Sequence, residues 1–594
     1  MDFLPINKQE MNKRGWDSCD FILISGDAYV DHPSWGGAVI SRVLEDAGFK
    51  VGILAQPDSK NVEAFRALGE PRLAFLITAG NIDSMVNHYT VNKKYRNTDL
   101  YSPGGKAGNC PDRATIVYTG QAKAAYKGKP VIIGGIEASL RRLSHYDYWS
   151  NKVRRSILFD SKADMLIYGM GERQIRNIAA LLDKGVPLSN MTNIKGTVFR
   201  TSSLEKIKEH ITLPSFEEIQ ENKKSYGESF AIQYKNTDPY YGKILVEKTG
   251  NQWAVQNPPE FPLTTEEFDR VYELPYKKEA HPSYEKEGGV PALKEIQFSL
   301  IHNRGCYGNC SFCALTFHQG RIVTARSNDS VVNEAVKLKK IKGFKGNIHD
   351  VGGPTADFTG PSCKRQETVG SCPDKQCLFP QPCKNLRTDH SSYVDLLRRL
   401  RKIEGIKNVF IRSGVRFDYM LAENDDTFFK EICQFHISGQ LKIAPEHVSP
   451  KVLKLMGKPD HRVFEKFIGK YKKINGELGK DQFFIPYFIS SHPGSGLKEA
   501  IELAEYLRDL HFIPEQVQDF YPTPGTLSTT MFHTGVNPLT GESVYVPRSA
   551  EEKQMQRALL QFTKKENRTL VRKALEKAGR KDLIGNGQKC LIRN

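Results

Sequence analysis

Three cysteines place the tightest constraint on this 594-residue chain: Cys306-Tyr-Gly-Asn-Cys310-Ser-Phe-Cys313. Thiols separated by three and then two residues can close on one four-iron cube from a single loop. They cap three corners and leave the fourth iron without a protein ligand, open to a small molecule. A zinc knuckle is the competing reading, because cysteines with short spacers are common zinc ligands. Zinc needs a fourth donor at comparable spacing, and His318 is the near candidate. The flanks favour the cluster. Glu295-Ile-Gln-Phe-Ser-Leu-Ile-His302 alternates with period two and runs as a strand into the loop. Helical patterning follows, with Val331, Val332, Ala335, Val336 and Ile341 on one face after the capping types Ser327-Asn-Asp-Ser330.

Similar strand–helix pairs repeat downstream. Asn347-Ile-His-Asp-Val351 leads into Gly352-Gly353-Pro354, and a helix with Tyr393, Leu396 and Leu400 precedes Val409-Phe-Ile-Arg412. Leu441-Lys-Ile-Ala444 leads into Pro445-Glu446-His447, Phe483-Phe-Ile-Pro-Tyr-Phe-Ile489 into a Ser/Pro/Gly turn, and Val517-Gln-Asp-Phe-Tyr521 closes the series. Six such units predict a partial (β/α)6 barrel with function at the carboxyl ends of its strands.

The C-x3-C-x2-C spacing, with Phe312 before the last cysteine, resembles the signature of the radical SAM enzymes. The resemblance implies a [4Fe-4S] cluster on Cys306, Cys310 and Cys313, with S-adenosyl-L-methionine on the open iron. One electron, from a donor such as a flavodoxin or ferredoxin, then yields a 5′-deoxyadenosyl radical. Gly352-Gly353 resembles the family's glycine turn that receives the methionine amino group, although Pro354 stands where a glutamate is usual. Arg412, Ser413 and Glu446 fall where the family places polar contacts to the carboxylate and ribose.

Upstream, Asp20-Phe-Ile-Leu-Ile-Ser-Gly26, Lys50-Val-Gly-Ile-Leu-Ala-Gln56, Arg72-Leu-Ala-Phe-Leu-Ile-Thr78, Pro130-Val-Ile-Ile-Gly-Gly135 and Asp164-Met-Leu-Ile-Tyr-Gly169 read as buried strands. Several are separated by helical stretches, which predicts a doubly wound parallel sheet with ligands beyond the strands' carboxyl ends. This region resembles the flavodoxin-like, cobalamin-binding domain that precedes many radical SAM cores. It departs from the cobalt-ligand motif at Asp31-His32-Pro-Ser-Trp-Gly36, so His32 is expected as a capping or surface residue. Leu140–Trp149 mixes aromatic, basic and acidic groups, and suits either a substrate pocket or an interdomain contact.

The expected organisation is a doubly wound domain over 1–195, a connector or insertion over 196–290, the radical SAM core over 291–545 and a basic amphipathic tail over 546–594. The tail opens with the capping box Ser549-Ala-Glu-Glu552 and is expected to pack through Met555, Ala558, Leu559 and Phe562 before a flexible end. The whole chain resembles the YgiQ family of radical SAM proteins. Gly134-Gly-Ile-Glu-Ala-Ser-Leu-Arg-Arg142, Arg304–Cys313, Ala444-Pro-Glu-His447 and Asp519-Phe-Tyr-Pro-Thr-Pro-Gly-Thr526 carry that match. It implies a fold and cofactors and no substrate. A methyl- or methylthio-transferase acting on RNA or protein is the enzymatic alternative.

Cys363, Cys372, Cys377 and Cys383 form a second group, able to hold zinc, hold another cluster or remain reduced thiols. Eleven cysteines in a chain without a secretory h-region fit a cytoplasmic metalloprotein better than a disulfide scaffold. No apolar run is long enough for a membrane span. The net charge of +17 is diluted over the full length and lacks an aromatic-interleaved basic stripe. A solvated surface is therefore expected rather than a nucleic-acid partner. The opposing non-catalytic reading is a zinc-stabilised nucleic-acid-binding protein.

Overall fold

The computed structural model describes residues 2–593. The five strands expected upstream form β1 (Phe21–Ser25), β2 (Val51–Ala55), β3 (Ala74–Thr78), β4 (Val131–Ile133) and β5 (Met165–Ile167). They pair in parallel in the spatial order β2-β1-β3-β4-β5, the flavodoxin-like winding. Each is an almost continuous apolar run because both faces are covered. Alternate residues serve opposite cores: Ile22, Ile24, Phe75 and Ile77 pack on one face, and Phe21, Leu23, Leu76 and Ile132 on the other.

The sheet does not stop at residue 195. Residues 196–290, expected as a connector or insertion, supply β6 (Thr197–Thr201), β7 (His210–Thr212), β8 (Ile244–Thr249) and β9 (Gln252–Gln256) to the same nine-stranded sheet. β6 runs antiparallel to β5, β9 antiparallel to β6, and β8 antiparallel to β9. A buried charge interrupts the apolar pattern of these strands. Glu247 of β8 is fully buried and accepts from the Ser144 amide at 3.0 Å and the Ser144 hydroxyl at 2.8 Å. Burial pushes its carboxyl up to about 7.

The second half carries the six expected parallel strand positions: β10 (Ser299–Ile301), β11 and β12 (Asn347–Ile348 and Asp350–Gly352), β13 (Asn408–Val409), β14 (Gln440–Glu446), β15 (Phe483–Ser490) and β16 (Gln518–Asp519). β10 pairs with β12, β11 with β13, β14 with β15 and β15 with β16, all in parallel. Helices such as Asn328–Leu338, Ser391–Arg401 and His461–Glu477 cover them through Val331, Leu397 and Phe467.

The C-terminal stretch packs rather than trails. Met555, Leu559, Val571 and Leu575 join the helix Leu497–Asp509 in one core. Leu583, Leu591 and Ile592 are buried there too, which corrects the expected flexible end. Leu140–Trp149 is an interdomain contact: Tyr146 and Tyr148 meet Phe532, and Tyr148 and Trp149 meet Tyr521. Among the described residues, no helix is long and apolar enough to cross a membrane.

Candidate active site

The cysteine loop leaves β10 through Asn303-Arg304, which pair antiparallel with Thr324-Ala325. Gly305 makes the turn with φ +84, and a Cβ there would lie 3.0 Å from the Ile322 carbonyl carbon. The Cys306 amide donates to the Gly320 carbonyl at 3.1 Å, and the Cys313 amide to the Cys310 carbonyl at 3.1 Å. Ser311 anchors the far side, its amide donating to Met456 O at 3.0 Å and its hydroxyl to Leu455 O at 2.7 Å. Backbone and side-chain bonds thus fix the loop from both ends.

The three sulfurs lie within electrostatic reach of one another. Burial raises the Cys306 thiol, with the Cys310 charge adding to it. Burial and the charges of Cys310 and Cys306 push Cys313 up to about 12. Crowded thiols, two of which resist ionisation alone, are a donor set that a cation would stabilise. Arg416 is the cationic partner already present, its Nη1 3.3 Å from Cys310 Sγ. Asp418 holds that guanidinium from the other side at 2.8 and 2.6 Å.

Zinc fits less well. His318 faces away into the N-terminal domain, with its Nδ1 3.0 Å from Ser139 Oγ. With His318 committed to Ser139, the three thiols suit a cubane, which takes each thiolate on a different iron.

The glycine turn lies beside this loop. A Cβ on Gly353 would sit 2.6 Å from the Asn303 carbonyl oxygen, and one on Gly352 2.7 Å from Ser413 Cβ. Two residues on, Thr355 Oγ1 is 3.7 Å from Cys306 Sγ. Asp350 ties the turn to the next strand end, accepting from the amides of Arg412 at 2.7 Å and Ser413 at 2.9 Å. The Ser413 hydroxyl also donates to Asp350, so it braces the turn.

Gly352, Gly353, Arg412 and Ser413 line one cavity of about 930 Å³. Its opposite wall is the carboxyl end of the N-terminal sheet: Thr78, Gly134, Gly169 and the start of the helix Gly36–Asp46. Phe312 and Glu446 do not line it. Phe312 joins an aromatic cluster and meets His492 edge-on at 6.2 Å. Glu446 follows a register shift in β14, has φ +71, and pairs with buried Lys458 at 3.8 Å. Burial raises its carboxyl, while Lys458 and Arg416 pull it back. Its charge acts on Cys313, which places Glu446 on the cysteine side of the site.

His32 is buried rather than at the surface, its Nδ1 accepting from the Ser34 amide at 3.0 Å. Asp31 is held by the buried Arg42 guanidinium. Asp350, Arg416, Asp418 and Lys458 were not read from the sequence. The usable signal was Val415-Arg-Phe-Asp418, a charged pair set in an apolar run.

Residues 3–299 match the family described as Radical SAM N-terminal, and residues 300–507 the Radical SAM superfamily. Residues 515–594 match a domain of unknown function, DUF3362. A UPF0313 protein of Clostridium perfringens (strain 13 / Type A) is 60% identical over 593 residues, covering 100% of this chain and 90% of its own. One from Clostridium botulinum (strain Kyoto / Type A2) is 58% identical over 592 residues, covering 100% and 92%. The chain belongs to the UPF0313, or YgiQ, family of radical SAM proteins. Among solved structures, the radical S-adenosylmethionine methyltransferase TsrM from Kitasatospora setae, with cobalamin and a [4Fe-4S] cluster bound, aligns over 95% of this chain and 100% of its own. The identity is 12% and the TM-score 0.49, a likeness too distant to assign a ligand.

As a UPF0313 radical SAM protein the chain is an enzyme, and the cofactors of its class are a [4Fe-4S] cluster and S-adenosylmethionine. The family boundary at 299–300 coincides with β10, so β6 to β9 fall within the N-terminal match.

Proposed function

We propose that Cys306, Cys310 and Cys313 hold the [4Fe-4S] cluster and that the cavity beside them takes S-adenosylmethionine and the substrate. The observation that carries this reading is the junction at Gly353–Thr355. One end of that short segment lines the cavity, and the other touches Cys306 Sγ at 3.7 Å. When bound, the cluster held by Cys306, Cys310 and Cys313 would supply one-electron reductive cleavage of S-adenosylmethionine, the radical chemistry of the class.

This chain's residues do the rest. Gly352 and Gly353 leave bare backbone where a ligand's polar end approaches. Arg416 places a fixed positive charge beside Cys310, offsetting the anionic charge of a thiolate-bound centre. Glu446 and Lys458 add a buried, mutually neutralised pair on the same side. Arg412 is exposed and lines the cavity, free to meet an anionic group. A volume near 930 Å³ lies at the upper end of the roughly 300–1,000 Å³ of single small-molecule pockets. There is room for a second reactant between the two domain walls.

The test is anaerobic reconstitution with iron and sulfide, followed by assay of 5′-deoxyadenosine release under a strong reductant. The wild type is expected to bind iron and release 5′-deoxyadenosine, and Cys306→Ala to release none. Zinc in place of iron, or release unchanged in Cys306→Ala, would overturn the assignment.

A further inference from the structure

Residues 362–387 form a loop that its own composition does not explain. Its ends are joined, the Arg387 amide donating to the Ser362 carbonyl at 2.8 Å. Within it lies one five-residue helix, Lys364–Thr368. Among its described residues, Leu378 is the apolar side chain that is fully buried, while Val369 is exposed. Unstructured loops beyond about 12–15 residues are uncommon in compact domains and are usually functional. So little apolar burial does not offset the ordering of so many residues.

The order instead converges on four cysteines. Ser362 Oγ lies 3.3 Å from Cys377 Sγ, which brings the Cys363 turn against Cys377. The Cys383 amide donates to the Cys377 carbonyl at 2.8 Å, folding the fourth cysteine back on the third. Arg321 clamps the second, its two Nη atoms donating to the carbonyls of Cys372 at 2.8 Å and Lys375 at 2.7 Å. Cys363, Cys372 and Cys377 are partly buried and Cys383 is exposed, so the group opens toward solvent.

The group also abuts the first cysteine loop. Gln376 Nε2 donates to the Asn309 carbonyl at 3.3 Å. Cys377 and Cys306 flank the same apolar cluster of Tyr307, Phe358, Leu378 and Tyr419. That position, against the loop of the first three cysteines, favours an electron-carrying centre over a purely structural ion.

We propose that Cys363, Cys372, Cys377 and Cys383 bind a second iron–sulfur cluster. Four thiolates close every corner of a four-iron cube. This centre therefore has no open iron for S-adenosylmethionine, and its chemistry is outer-sphere electron transfer beside the first site.

The test uses the anaerobically reconstituted full chain. The variant Cys306→Ala/Cys310→Ala/Cys313→Ala removes the first site and is expected to keep about four irons and four sulfides with a reducible EPR signal. Adding Cys363→Ala and Cys377→Ala should abolish that signal and the iron. A triple variant with no iron, or with zinc in place of iron and sulfide, overturns the proposal. If the triple variant does not fold, the wild type decides: about eight irons per chain support the second cluster and about four overturn it. The result is independent of S-adenosylmethionine cleavage, so it stands or falls apart from the function of Cys306, Cys310 and Cys313.

Discussion

Replacing Arg416 tests the electrostatics of the site most directly. Its side chain is 9% exposed and that of Asp418 is 1% exposed, with two hydrogen bonds of 2.8 and 2.6 Å between them. Arg416→Met keeps most of the volume and strands the Asp418 carboxylate in a nearly dry setting. Breaking a buried pair this way costs about 3–5 kcal/mol. Arg416→Met/Asp418→Leu leaves no stranded charge and should cost less than the single change, because apolar replacement of a whole buried pair is often close to neutral. The readout must be local to the core. All four tryptophans (Trp16, Trp35, Trp149, Trp253) precede β10, so their fluorescence follows the N-terminal region. Hydrogen exchange of the helix Phe417–Met420 is the right probe. Its slowest amides should exchange about two to four decades faster in Arg416→Met, at 1.36 kcal/mol per decade, and recover partly in the double variant. A single change costing under about 1 kcal/mol, or a double variant as destabilised as the single, would refute the reasoning.

Three further outcomes follow from named contacts. His390 is fully buried, with Nδ1 2.7 Å from Glu423 and Nε2 3.7 Å from Asp357. Burial lowers its pKa, but the two carboxylates outweigh burial and hold it at about 9. A folded pKa above the unfolded ~6.5 gives stability that is complete below pH ~6.5 and lost as pH rises through 9, up to about 3 kcal/mol. His390→Gln should flatten that slope in pH-dependent unfolding of the core. Gly353→Ala drives a methyl into the Asn303 carbonyl oxygen, a backbone atom that no rotamer change moves. S-adenosylmethionine affinity by calorimetry should fall at least about tenfold, with the far-UV spectrum unchanged. Asp350→Ala removes the acceptor for the Arg412 and Ser413 amides and should weaken the same affinity, while iron content stays at the wild-type level.

What the sequence disclosed depended on how each residue is buried. β1 to β5 were legible because strands covered on both faces must be apolar throughout, and Gly26, Gly134 and Gly169 mark where they end. The barrel strands were legible as repeats, each followed by a glycine, proline or serine turn and a helical face. β6 to β9 were not, because they are partly half-buried and carry Glu247 in the interior on a hydrogen bond from Ser144, about a hundred residues earlier in the chain. The same limit applied at the site. Contiguous features such as the cysteine spacing and the glycine pair could be read directly. Arg416 and Asp350 could not, because their importance lies in partners 106 and 62 residues away. Ser413 was read as a ligand contact by position, yet its hydroxyl is committed to Asp350.

The two halves also explain each other. Parallel sheets leave their ligand sites beyond the carboxyl ends of the strands, and here the ends of the N-terminal sheet and of β10 and β12 line one cavity. Arg304, two residues before Cys306, pairs with Glu172 at the start of the helix Glu172–Asp183 beyond β5. His318, five residues after Cys313, reaches Ser139 beyond β4. The cysteine loop is therefore tied on both flanks to the N-terminal sheet. Glu172→Ala removes one of these two ties and should speed hydrogen exchange of the backbone over residues 304–313, read by mass spectrometry; exchange unchanged from the wild type would show that the tie does not order the loop.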